Sequence, residues 1–139
     1  MSDPKEAALL LRMARKDLRA MRALAPAATA DIETFGFHAE QAVEKGLKAW
    51  LALQGVLYPR VHDLDRLLDL LRAQGATVPG EFEPLSALTD FGVAFRYEAY
   101  EEPDEPFDRG QIIEQVERLL DHVAHFLPPD GSATASPGP

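Results

Sequence analysis

The stretch from Phe37 to Leu71, FHAEQAVEKGLKAWLALQGVLYPRVHDLDRLLDLL, leaves the chain little choice of architecture. Its first part predicts a long amphipathic helix over about residues 34–54. Phe35, Ala39, Ala42, Gly46, Ala49 and Leu53 recur at helical spacing, and Val43, Leu47 and Trp50 widen the apolar arc. Small residues dominate that stripe, so a neighbouring helix can approach closely. His38, Gln41, Lys45 and Lys48 form a polar stripe beside it, with Gln41–Lys45 and Glu44–Lys48 as supporting i,i+4 pairs. Gly55 stops the helix, Tyr58-Pro59-Arg60 turns the chain, and a second, Leu-rich helix begins near His62-Asp63-Leu64.

The rest of the chain repeats this logic. A first helix is expected over about residues 4–24, with Pro4 at its start, where a missing N–H costs little. Its core stripe is Ala7, Leu11, Ala14, Leu18, Met21 and Ala25, and Arg12, Arg15, Arg19 and Arg22 make a separate basic stripe. Pro26 breaks it, and Asp31 or Thr34 can cap the next helix. The third helix, about 63–73, should bury Leu64, Leu67, Leu68 and Leu71 and close at Gly75. A weaker helix is expected over about 84–95, where Thr89 and Gly92 lower the propensity. Residues 96–107, RYEAYEEPDEPF, read as a loop. The last helix, about 108–127, should bury Ile112, Val116, Leu119, Val123 and Phe126 before Pro128 ends it. No strand pattern appears. The expectation is an all-α, up-and-down antiparallel bundle of four to five helices over 1–127, with a disordered tail at 128–139.

Composition removes several function classes. At 139 residues the chain suits one domain with one apolar core. It has no cysteine, which excludes thiol nucleophiles, disulfides and Cys-ligated metal sites. No apolar run approaches a membrane span. Residues 7–30 are Ala- and Leu-rich with arginines, but Asp17 and the evenly interleaved charges favour a mature helix over a transit peptide, and a cytoplasmic location is expected. A net charge of −9 argues against non-specific nucleic-acid binding by the whole surface. That average hides an asymmetry: Lys5, Arg12, Arg15, Lys16, Arg19 and Arg22 crowd the first helix, whereas Arg96 is the single base between Glu81 and Asp108. These are either solvated faces or surfaces for a second subunit or partner.

The segments FHAEQAVEKGLKAWL and RVHDL resemble the HEPN family (higher eukaryotes and prokaryotes nucleotide-binding domain). The resemblance implies a compact helical bundle, often one half of a toxin–antitoxin or nucleotidyltransferase module. Many HEPN ribonucleases carry an Arg followed after four to six residues by His. The His handles protons at the 2′-hydroxyl and leaving oxygen, and the Arg stabilises charge on the phosphate. The matching Arg here is Arg96, in AFRYEAYEE, which is similar to an Arg-Tyr-Pro version without the His, with Glu98 in place of the Pro. Glu101, Glu102 and Pro103 occupy the positions where the His would stand.

The resemblance therefore implies a non-catalytic module that binds a nucleotide, RNA or a partner. It would form a homodimer and pair with a separately encoded minimal nucleotidyltransferase, without a cofactor, a metal or a membrane. A ligand site is expected from Arg96, Tyr97, Lys45 and His38, with Arg96 on a phosphate and Tyr97 against a base. Each has a plainer role to set beside it. Arg96 can neutralise its acidic neighbours, His38 can hydrogen-bond a neighbouring helix at the core edge, and Lys45 and Lys48 can be solvated. His62 and Asp63 are expected to cap the third helix, and Trp50 to lie in the core or a dimer interface. The alternative is a metal-independent endoribonuclease toxin using Arg96 or the pair Arg118 and His125, which share with His122 a spacing that predicts an exposed polar face.

Overall fold

A computed structural model describes residues 2–26, 31–89 and 108–128. Arg96, Tyr97 and the acidic loop lie outside the described residues, as do the end of the expected 84–95 helix and residues 129–139. The elements are α1 (Pro4–Ala23), α2 (Ile32–Leu53), α3 (Leu64–Ala73), a 3-10 helix (Gly80–Leu88) and α4 (Arg109–Ala124). The chain is an all-α helical bundle. Among the described residues no helix is long and apolar enough to cross a membrane.

Three of the helices, α1, α3 and α4, begin where a side chain satisfies one of the first N–H groups. Asp3 accepts from the Glu6 N–H at 3.1 Å, Asp63 from the Asp65 N–H at 3.0 Å and Asp108 from the Gln111 N–H at 2.9 Å. Asp31 stands at the N-cap of α2, and Thr34 falls inside that helix. The stops after α2 and α3 are Gly55 and Gly75, at φ of 76° and 88°. A side chain is disfavoured there, and that backbone lets the chain leave the helix abruptly.

The bundle is built around α2. It packs against α1, α3, the 3-10 helix and α4, and none of its residues from Ile32 to Leu53 is exposed. The core stripes of α1, α2 and α3 lie where helical spacing puts them, with Leu18, Met21, Phe35, Leu47, Leu64 and Leu71 closed off from solvent. Gly46 is a point of close approach to α4. A Cβ built there would lie 2.7 Å from Leu120 Cδ2, so the small-residue stripe serves the purpose its composition suggests. At the other end of α4, Arg109 donates to the Leu24 carbonyl at 2.8 Å and lies over the Phe35 ring, tying the end of α1 to the start of α4.

Two expectations need correction. The segment before residue 90 is a 3-10 helix with Pro84 inside it. Three residues per turn align Phe82, Leu85 and Leu88 on one buried edge, a spacing an α-helical reading misses. The last helix ends at Ala124 with His125 as its C-cap, so Phe126 leaves the stripe and is 52% exposed, while Leu120 is buried instead.

Candidate functional site

His38 and Lys45 stand two turns apart on α2 and share one partner, Asp17 of α1. The His38 Nδ1 lies 3.0 Å from Asp17 Oδ1, and the Lys45 ammonium donates to Oδ2 at 2.6 Å. The Asp17 side chain is only 12% exposed, so the pair is closed over its counter-ion at the α1–α2 seam. The structure thus brings together two of the four expected ligand residues. It also replaces the solvated-face reading of Lys45, whose side chain is 22% exposed and whose ammonium is engaged by α1. A tautomer in which Nδ1–H donates to Asp17 leaves Nε2 as the basic nitrogen of His38.

Between His38 and Lys45 in the chain, α2 carries two buried carboxylates. Glu40 is 1% exposed and Glu44 6%. Glu44 accepts from Lys48 at 2.7 Å and meets His62 Nδ1 at 2.9 Å, and Gln41 donates to Glu40 at 2.9 Å. Burial pushes the Glu44 carboxyl up. Hydrogen bonds from Lys48, His62 and Glu40 outweigh it, and the group sits below its ordinary value. His62 therefore pairs with α2 and leaves the capping of α3 to Asp63, with the Thr89 hydroxyl accepting from the Leu64 N–H. Among the described residues, Glu40, Glu44 and His62 are a set whose ligand atoms converge, all within 4.8 Å, as a cation would need. Sequence reading missed it. The signal was present in Glu40 and Glu44 at i,i+4, but the third member arrives from a turn eighteen residues on.

Tyr58 closes the same end of the bundle. Its hydroxyl donates to Glu6 at 2.5 Å, and Lys48 lies 5.5 Å above its ring. Burial, and then the Glu6 carboxylate, push the phenol up to about 12.

The residues behind the ribonuclease alternative are dispersed among other partners. Arg118 reaches Glu81 of the 3-10 helix at 3.4 Å, and His125 is an exposed C-cap. His122 does not lie on an exposed polar face. Its ring meets Trp50, Phe82 and Phe126 edge-on at 5.1, 5.5 and 5.3 Å. Helical spacing could not reveal this, because Trp50 and Phe82 reach around α4 from other elements. The basic stripe of α1 is partly absorbed within the chain as well. Arg15 pairs with Asp121 at 3.1 Å and Arg22 with Glu117 at 2.9 Å, both on α4.

The family model of the HEPN domain matches residues 7–126. The chain belongs to the HEPN family. No curated protein and no solved structure gives a match. The match covers α1 through α4 of this HEPN chain, including the Asp17–His38–Lys45 cluster and the Glu40–Glu44–His62 set. Nucleotide or RNA binding, or ribonuclease chemistry, is the range of function that HEPN membership supports.

Proposed function

We propose that this HEPN chain is a non-catalytic nucleotide- or RNA-binding module of the branch without the Arg–His ribonuclease motif. It acts as a homodimer beside a separately encoded minimal nucleotidyltransferase, in a toxin–antitoxin-like pair. The observation that carries the reading is Asp17 held between His38 and Lys45. Two basic groups are gathered at one seam and kept in place by a carboxylate that a phosphate can displace or bridge. Arg96 and Tyr97 are proposed to complete that site. The engagement of Arg118 by Glu81 and of His122 by its aromatic neighbours supports the non-catalytic half of the reading.

The test is RNA cleavage by pure protein in chelator, together with titration of ATP, GTP and short RNA into wild type and Arg96→Ala. Intact RNA, with binding that Arg96→Ala weakens by a charged hydrogen bond's worth of ~1.5–3 kcal/mol, supports the proposal. No binding at millimolar ligand defeats the nucleotide site. Co-expression with a minimal nucleotidyltransferase and light scattering test the pairing and the dimer.

One observation favours the ribonuclease alternative. The Asp17–His38 hydrogen bond orients an imidazole as a general base requires, with Lys45 nearby for a phosphate. Cleavage abolished by His38→Ala would establish that reading, and cleavage abolished by Arg118→Ala or His125→Ala would place the chemistry on α4.

A further inference from the structure

Every exposed residue of α1 from Lys5 to Ala23 is basic or apolar. Lys5, Arg12, Lys16 and Arg19 supply the charge, and Leu9 and Met13, 45% and 39% exposed, supply apolar surface beside them. The exposed faces of α3 and α4 are mixed instead: Asp65 and Asp69 stand beside Arg66 and Arg72 on one, and Glu114 and Asp121 beside Arg118 on the other. At about 100° per residue the six α1 side chains fall within an arc of about 120°. The bases take one edge and Leu9 and Met13 the other, opposite the buried stripe of Ala7, Leu11, Ala14 and Leu18.

The acids of α1 do not offset this face. Glu6 accepts from Tyr58, and Asp17 is engaged by His38 and Lys45. Arg15 and Arg22, at the flank, pair with Asp121 and Glu117 of α4. Among the described residues no ion pair reaches Lys5, Arg12, Lys16 or Arg19. Arg12 and Lys16 stand at i,i+4 and Lys16 and Arg19 at i,i+3, spacings at which like charges oppose the helix that carries them. An anionic partner relieves that repulsion.

The mixture of charge and apolar surface selects the partner. A nucleic-acid strand would engage the bases but leave Leu9 and Met13 facing water, and the face has no aromatic side chain on which a base could stack. A bilayer would cover Leu9 and Met13, but two side chains insert little apolar area. An acidic protein segment satisfies both, with carboxylates for the bases and aliphatic side chains for the apolar pair. The distance along α1 from Lys5 to Arg19 is roughly 21 Å, about four turns.

We propose that the outward face of α1 is a docking surface for an acidic amphipathic helix of a partner protein, with carboxylates over Lys5, Arg12, Lys16 and Arg19 and aliphatic side chains over Leu9 and Met13. A single helix face gives a small, transient and salt-sensitive contact. None of these residues belongs to the Asp17–His38–Lys45 cluster, and the docking surface does not depend on it.

The full chain is titrated with a helical peptide of about sixteen residues that carries Glu and Leu at the complementary spacing and neutral residues elsewhere. Anisotropy of a label on the peptide gives affinity, and amide resonance shifts on the chain give location. The same peptide with Gln for Glu, a single-stranded RNA of similar length, and vesicles of phosphatidylserine and phosphatidylcholine are run alongside. The expected result is saturable binding of the acidic peptide with shifts gathered on α1. Exchanging Glu for Gln in the peptide, or the double variant Arg12→Glu with Lys16→Glu, should each weaken binding roughly tenfold. Leu9→Ser with Met13→Ser should weaken it by roughly three- to tenfold. All four positions are exposed, so the variants should melt as wild type does; should one fail to fold, the shift map on the wild-type chain decides. Absence of saturation at millimolar peptide, shifts centred elsewhere, or binding indifferent to the charge or to the apolar pair would overturn the proposal. RNA or vesicles bound tenfold tighter than the peptide would assign the face to nucleic acid or membrane and overturn it too. So would self-association of wild type that the double variants abolish, since the occupant would then be a second copy.

Discussion

Asp17 and Lys45 meet at 2.6 Å across the α1–α2 seam, and the same carboxylate holds His38 at 3.0 Å. One carboxylate therefore engages two groups that sit half-buried on the central helix, one through each oxygen. Asp17→Ala should lower unfolding free energy by ~1–3 kcal/mol, because it leaves a sheltered ammonium without its partner. Lys45→Ala added to that variant should cost little more, since the interaction is already gone. Urea unfolding of the two single variants and the double variant measures this, and additive losses would show that the pair is not coupled.

Glu44 gives the acid side of the stability profile. Its carboxyl is held below its ordinary value of 4.5 by Lys48, His62 and Glu40 despite burial. A depressed group stabilises the folded chain above its unfolded value and loses that contribution as pH falls through the folded one. The stability difference between wild type and Glu44→Gln should be full above about pH 4.5 and close progressively below it. Thermal melts of both proteins between neutral and strongly acid pH would show a constant gap if Glu44 were not the titrating group.

Tyr58 sets the alkaline side. Its phenol is raised from 10.0 to about 12 by burial and the Glu6 carboxylate. A raised group contributes below its unfolded value, and the contribution disappears as pH climbs through the folded value. Between about pH 10 and pH 12 wild type should lose stability faster than Tyr58→Phe. Spectrophotometric titration of the three tyrosines, with and without Tyr58, checks the assignment directly.

Gly46 faces Leu120 in the contact between α2 and α4. Gly46→Val should destabilise by ~1–3 kcal/mol through overpacking at a site with no room. Gly110, whose added Cβ would meet only Asp108 Oδ1 at 3.6 Å, is the control. Gly110→Ala should be neutral or stabilising by up to ~1 kcal/mol. Equal effects at the two glycines would contradict the close approach.

How far the sequence could be read follows from which interactions are local. The stripes of α1, α2 and α3 and the stops at Gly55 and Gly75 depend on residues a few positions apart, and their spacing announced them. The partners of the polar groups did not announce themselves. His38 and Lys45 looked like one edge of an amphipathic helix, and nothing local says that Asp17, 21 residues before His38, stands opposite them. Glu44 was legible only as the i,i+4 partner of Lys48, and nothing local says that it and Glu40 are buried. His122 shares its helical spacing with Arg118, yet Trp50 and Phe82 arrive from other elements to cover it.

Because no residue of α2 is fully exposed in the folded chain, its exposure during synthesis differs from its exposure in the finished protein. The helix leaves the ribosome well before α4, so Gly46 and Trp50 wait for Leu120 and His122, encoded more than 70 residues later. In that interval α1 is the chief shield, and its pairing with α2 is local enough to form early. The nascent chain thus passes through a two-helix stage with one greasy flank open, the kind of intermediate that chaperones recognise. A chain truncated after residue 89 should bind a hydrophobic dye and aggregate where the full chain does neither. Supplying α4 as a separate peptide should suppress both.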